Sequence, residues 1–382
     1  MKILVLILFF ILQPVLWVGV LKSYITFNNR IKRERKMFSS AIYEDYFEGR
    51  HFARALLILG IIGSILGSFI AVSGGLIGAY VIIALVLSVV FFTRPFPVLT
   101  ALVASGSALL IPGVAKYPVV SSIVSFTGGL PAPVPATSLI AFVGLVIILN
   151  VLFIKISFGN YSSPVLSRNK RNNLVAKYRL EESTVVPLLL MMPGDWFTSH
   201  LAFWPVFSYG GHTYTFVFLP LVLGLRATIQ HSDPKAFTRR LSNAQLIIGV
   251  VALTLAVAGK YLPKFAGYGL IVVAIGYLIT LVALKHQDKQ NPFEYTQVMD
   301  GVRVLGIKPA TPAAKMNLNI GDVILTVNGL DVTNETELYQ GLSRDSTYVK
   351  MRVRDRNDQL KITETAIFKN SPHEIGIKTY TD

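Results

Sequence analysis

The chain contains no cysteine, so disulfides, thiolate metal sites and a cysteine nucleophile are excluded. Charge is sparse: 15% of the 382 residues are Asp, Glu, Lys or Arg, against about 25% in an ordinary soluble domain. The six histidines, at positions 51, 200, 212, 231, 286 and 373, include no H-E-x-x-H pair for a helix-borne zinc site. P-loop and dinucleotide-binding glycine patterns are missing too. No metal or cofactor is expected, and the chain is not read as an enzyme.

Acidic residues are the scarcer sign, 21 against 36 basic, and their distribution divides the chain. Residues 293–382 hold 11 Lys/Arg and 12 Asp/Glu, whereas residues 1–292 hold 25 and 9. The basic residues lie between apolar runs, without the aromatic interleaving of a nucleic-acid groove. They fit the positive-inside bias and attraction to anionic lipid, so no nucleic-acid partner is expected.

Apolar content is high, 52%, and comes in blocks. Ile3 to Leu21 is long enough to cross a core of about 30 Å. No small-x-small cleavage site follows it, which predicts an uncleaved anchor. From Lys22 to Arg54 eight basic residues follow, among them Arg30, Lys32, Arg33, Arg35 and Lys36, and they predict a cytoplasmic loop. Further spans are predicted near 55–73, 76–93, 96–113, 137–155, 243–259 and 266–284. Gly60, Gly63, Gly67, Gly74, Gly75 and Gly78 suit close helix packing or a hairpin turn. Between two further basic loops, residues 185–226 read as two more spans or a re-entrant region, giving nine crossings or seven. Asp195, His200 and His212 fall there among Gly, Pro, Trp and Tyr, which reads as an interfacial loop. The expected fold is an α-helical polytopic membrane domain of about 7–9 transmembrane helices over residues 1–291. A small α/β domain over 292–382 follows.

In the tail, Val302 to Lys308 reads as a strand, Pro312 to Leu318 as a short helix and Asp322 to Asn328 as a second strand. Asn328-Gly329 is a hairpin turn signal. Thr333 or Asn334 can cap a second helix, with Glu337 set to reach back to Asn334 and Leu338 and Leu342 on one face. A hairpin over 348–366 and a last strand from Glu374 to Tyr380 complete the domain. The combination of Pro312-Ala313-Ala314, Gly321-Asp322-Val323-Ile324 and Val327-Asn328-Gly329 resembles bacterial PDZ domains. That resemblance implies an extended peptide ligand added to a sheet edge, its terminal carboxylate held by a loop with Gly between apolar residues. Two segments match that loop. Ile375-Gly376-Ile377, facing Leu338 and Leu342, is preferred over Leu305-Gly306-Ile307. A Gly376→Glu change is expected to abolish peptide binding and to leave the fold largely intact.

The whole order resembles the MinJ family of division-site determinants: an N-terminal anchor, the basic stretch from Asn29 to Ile61, a Gly-rich apolar body and a terminal PDZ domain. The resemblance implies a non-enzymatic adaptor in the cell membrane of a Gram-positive bacterium, with a cytoplasmic tail and enrichment at septa and poles. It implies as partners a DivIVA-like scaffold, a MinD-like ATPase and other divisome membrane proteins, besides PDZ peptides and anionic lipid. Two alternatives stay open. One is a membrane protease or protease-regulating PDZ protein, and the other a transporter with a regulatory PDZ tail, hinted at by the Gly/Pro-broken stretch 187–220.

Overall fold

The structure is a computed structural model. It describes residues 2–91, 94–114, 135–158, 163–169, 172–194, 204, 206–209, 212–291, 295–345, 347–367 and 374–380. Asp195 and His200 therefore lie outside the described residues, as does the predicted boundary at Pro292.

The first apolar run is broken. Helices α1 (Lys2–Leu12) and α2 (Pro14–Phe38) meet at an angle of 58°, because Pro14 lacks an N–H and starts a new helix at its first position. The basic stretch after it is the last turns of α2 and not a loop. Then come α3 (Phe47–Gly67), α4 (Gly74–Val90), α5 (Pro97–Val114) and α6 (Ala136–Ser157), with α7 (Pro234–Tyr261) and α8 (Pro263–Gln290) closing the body. Four of these, α3, α6, α7 and α8, are long and apolar enough to cross a membrane, or five if the bent pair α1–α2 counts as one span. Among the described residues the candidates thus number four or five, where seven to nine spanning helices were expected; α4 and α5 are shorter apolar helices. Helix α6 is the hub, with 72% of its apolar window buried.

The middle region is the main departure. Among the described residues of 185–226, 185–193, 206–209 and 212–226 lie in antiparallel strands and not in the expected helical spans. Strands β1 (Ser163–Arg168), β2 (Leu174–Pro193), β3 (Val206–Tyr209) and β4 (His212–Ile229) form one sheet in the order β1-β2-β4-β3. β2 and β4 pair without interruption from Tyr178↔Ile229 to Pro193↔Tyr214. Val186, Leu188, Leu190, Leu219, Leu221 and Leu223 are fully buried on one face, and Val185 and Val222 are buried on the other, as expected of strands covered on both faces, whose sequences lose polar alternation.

Such buried strands must satisfy their outer edges. Ser64 on α3 donates to Pro187 O at 2.9 Å and accepts from Leu189 N at 3.1 Å. On β4, Val222 N donates to Tyr80 Oη at 3.1 Å and Gly224 N to Asn150 Oδ1 at 3.0 Å, from α4 and α6. Gln13 and Trp204 donate to the carbonyls of Phe218 and Phe216. The glycines of α3 serve the same sheet. A Cβ at Gly60 would stand 2.9 Å from Pro187, and one at Gly67 would stand 2.5 Å from Leu189 O. These two allow a helix to lie on a strand, while Gly63, whose Cβ would stand 3.0 Å from Leu149 on α6, serves the close helix packing that was expected.

The tail folds largely as read. β5 (Val302–Arg303), β7 (Val323–Val327), β8 (Leu330–Asp331), β9 (Tyr348–Arg354) and β10 (Leu360–Ala366) form one sheet, while β6 (Gly306–Ile307) pairs with β11 (Ile377–Lys378). The expected strand 302–308 is thus two short strands in different sheets. Helices α9 (Pro312–Lys315) and α10 (Glu335–Ser343) complete the tail.

Candidate peptide-recognition site and the seam behind it

Helix α10 starts where Asn334 Oδ1 accepts from Glu337 N at 2.8 Å. Glu337 reaches back one residue further than expected, accepting from Thr333 N at 2.7 Å and Thr333 Oγ1 at 2.8 Å. These hydrogen bonds hold the Glu337 carboxyl below its ordinary range. The helix directs Leu338, 2% exposed, and the partly buried Leu342 into one apolar cluster with Ile375 and Ile377. Four of the five preferred groove residues therefore meet.

The fifth, Gly376, has φ +91°, and a Cβ there would lie 2.0 Å from Thr311 Oγ1. Its conformation and its space both require glycine. The expectation that Gly376→Glu leaves the fold largely intact is therefore corrected: that substitution disrupts the local backbone. Strand β11 pairs only with β6 among the described residues, Ile377 opposite Ile307 and Lys378 opposite Gly306. Among the described residues its other edge carries no strand, the geometry strand addition requires.

The alternative segment is engaged elsewhere. Leu305 is fully buried and its carbonyl accepts from Tyr178 Oη at 2.9 Å. Gly306 and Ile307 are the inner partners of β11.

Behind this edge the tail is fastened to the body. Phe38, Ile42, Tyr43, Phe47, Tyr178, Tyr295, Leu305 and Tyr380 pack in one cluster spanning both parts. Ala176 N donates to Tyr295 O at 3.0 Å and to Tyr380 Oη at 2.9 Å, and Tyr380 Oη donates to Tyr295 O. The segment joining α2 to α3 adds charge contacts. Glu44 lies 2.9 Å from Lys308 Nζ, and Lys378 Nζ donates to Ser40 Oγ at 2.8 Å and pairs with Glu374. The Glu44 hydrogen bond raises the Lys308 pKa above its ordinary value. No sequence signal pointed to Ser40, Ile42 or Glu44, since partners more than 260 residues away leave no local pattern.

The five clustered basic residues Arg30, Lys32, Arg33, Arg35 and Lys36 on α2 separate. Arg30 is 4% exposed; its guanidinium binds Glu48 at 2.6 Å and donates to the carbonyls of Tyr43 at 2.6 Å and Asp45 at 3.0 Å. It braces the α2–α3 junction and is not available to lipid or a partner. Lys32, Arg35 and Lys36 are exposed, and Arg33 is half-buried. His212 opens β4 opposite Tyr209.

Residues 279–364 match the PDZ domain family. The chain thus joins a segment similar to PDZ domains to a body of apolar helices. Along nearly its whole length it is also MinJ-like. It is 29% identical over 369 residues, 96% of this chain and 92% of the relative, to the cell division topological determinant MinJ of Bacillus subtilis strain 168. It is 27% identical over 367 residues, covering 91% and 90%, to a probable cell division topological determinant MinJ of Lacticaseibacillus paracasei. Among solved structures, the PDZ domain of an SdrC-like protein from Listeria monocytogenes is similar, with 28% identity over 22% of this chain and 90% of that chain and a TM-score of 0.18.

Proposed function

We propose that the protein is a non-enzymatic scaffold for division-site selection, anchored in the cell membrane by residues 1–291 and recruiting partners through residues 292–382. The observation that carries this reading is likeness to a division topological determinant along 96% of the chain, body and tail together. A protein sharing only a PDZ module would match in the tail alone. In this reading the body crosses the membrane several times and leaves the tail in the cytoplasm, at septa and poles. Ile375–Ile377 with Leu338 and Leu342 form the peptide groove, and β11 supplies the pairing edge. The partners are division proteins, among them a DivIVA-like scaffold and a MinD-like ATPase. The exposed Lys32, Arg35 and Lys36 face anionic lipid or acidic protein surfaces.

The test is genetic. Deleting the gene in its native cell should give filaments or minicells, restored by the full chain but not by residues 1–291. A Leu342→Gln chain, altered at the groove wall and outside the tail–body seam, should restore only partly. Normal cell-length distributions after deletion would refute the reading.

A further inference from the structure

Helices α7 and α8 run side by side and antiparallel. Near the turn that joins them, a Cβ at Gly259 would stand 3.3 Å from Ala266, and one at Gly269 would stand 3.9 Å from Leu255. At their far ends, Asp288 on α8 accepts from Gln230 N and His231 N, just ahead of α7, at 3.4 Å each. The start of α7 and the end of α8 are therefore neighbours. Both carry cations, Arg239 and Arg240 on α7 and Lys285 and Lys289 on α8.

All four residues are exposed, and among the described residues none of them takes part in an ion pair. The carboxylates at these helix ends are engaged elsewhere. Asp288 is buried on its two backbone donors. Asp233 caps α7 through Ala236 N at 3.2 Å and lies 3.3 Å from Arg356. Next to the cations each helix is apolar. On α8, Leu278, Val282, Lys285 and Lys289 follow at intervals of four, three and four, which sets them on one exposed face. Arg240, Asn243, Ile247 and Val250 do the same on α7, at intervals of three, four and three. Ile247 is 66% exposed and Val282 67%.

We propose that these paired helix ends bind an anionic phospholipid, its phosphate between the cations and its chains along the two apolar stripes. A phospholipid has the same order as the stripes, apolar chains ending in a charged group. Lys285 lies about 4.5 Å along the axis from Val282, at ~1.5 Å per residue. Its ammonium therefore stands at the level of the phosphates above the chains that cover Val282. An acidic protein segment would have to displace those headgroups first. A zwitterionic headgroup brings its own ammonium, so an anionic one matches the surplus charge better. The inference rests on the reading that the body is embedded in a membrane, and it names a lipid at one place on that body.

The experiment assembles the full chain in nanodiscs of phosphatidylcholine and phosphatidylglycerol in equal amounts. Native mass spectrometry of the released protein reads which lipid it keeps. The wild type should keep phosphatidylglycerol over phosphatidylcholine. The double variant Arg240→Gln/Lys285→Gln should lower that preference by about tenfold or more. Lys350→Gln/Arg352→Gln removes two exposed charges from β9 in the tail and should stay within about twofold. Both double variants replace exposed residues and should keep the wild-type Tm. No lipid preference in the wild type, or equal losses in the two double variants, would overturn the proposal and leave a membrane-embedded body in place. An unchanged preference in Arg240→Gln/Lys285→Gln would refute it by assigning these cations to helix orientation alone. A wild type that stays outside the nanodiscs would overturn the membrane reading and the proposal with it.

Discussion

Arg30 shows how a residue type that normally signals a solvated surface acts here as an internal brace. With its guanidinium between Glu34, Glu48 and two carbonyls, its removal strands two buried carboxylates. Arg30→Ala should destabilise the protein by about 3–5 kcal/mol, read as a lowered Tm of the full chain in detergent; an unchanged Tm would mean the network relaxes into water. Glu182 adds a pH dependence. Burial pushes its carboxyl up to about 7, against the opposing hydrogen bond from His51. A carboxyl raised in the fold contributes stability fully below its unfolded value, near 4.5, and loses it as pH rises through about 7. Between about pH 5 and 8 the wild type should therefore lose more Tm than Glu182→Gln, and parallel curves would contradict the assignment. At Gly376, alanine already meets both the positive φ and Thr311, so Gly376→Ala should cost about 2–4 kcal/mol. Faster protease cleavage of the tail in the full chain is the check.

At the level of elements, the buried hairpin β2–β4 depends on side chains that finish its edges. Asn150 accepts from Gly224 N and donates to Gln245 at 3.4 Å, so Asn150→Leu leaves a buried amide unmatched. A loss of about 1–3 kcal/mol is expected, measured by thermal unfolding beside Asn150→Asp, which keeps the acceptor. The hairpin is also where reading and fold part company. The run from Val185 to Leu190 has no polar alternation because both its faces are covered, and periodicity cannot then separate a buried strand from an apolar helix. Signals that favoured strands were present: Pro187, Pro193 and Pro220, and the β-branched and aromatic run Thr213 to Phe218. The tail was legible for the converse reason. Its signals are local: Asn328 and Gly329 take the positive φ values, 48° and 81°, that a two-residue hairpin turn demands. Pro312 opens a helix and Asn334 caps one. The groove candidates followed from the PDZ resemblance that these local patterns carry. The seam residues Ser40, Ile42 and Glu44 did not, since the seam is made by segments distant in sequence.

The molecule as a whole joins a PDZ tail to an apolar body through a ring of tyrosines rather than a free linker. Tyr178, Tyr295 and Tyr380 close on one another and on the strand end at Ala176. The orientation of the peptide edge is thereby tied to the body. Tyr380→Ala should release the tail, seen as increased hydrogen exchange over residues 295–305 with the body's exchange unchanged; uniform protection would contradict the coupling. Under the proposed function, this packing would set the direction in which the tail presents a partner relative to the body. The most direct measurement is imaging of a fluorescent fusion expressed from the native locus, full-length and without residues 292–382, through the division cycle. The account predicts that the full chain gathers at septa and poles and that loss of the tail disturbs division. A uniform membrane signal with normal division in both strains would contradict it.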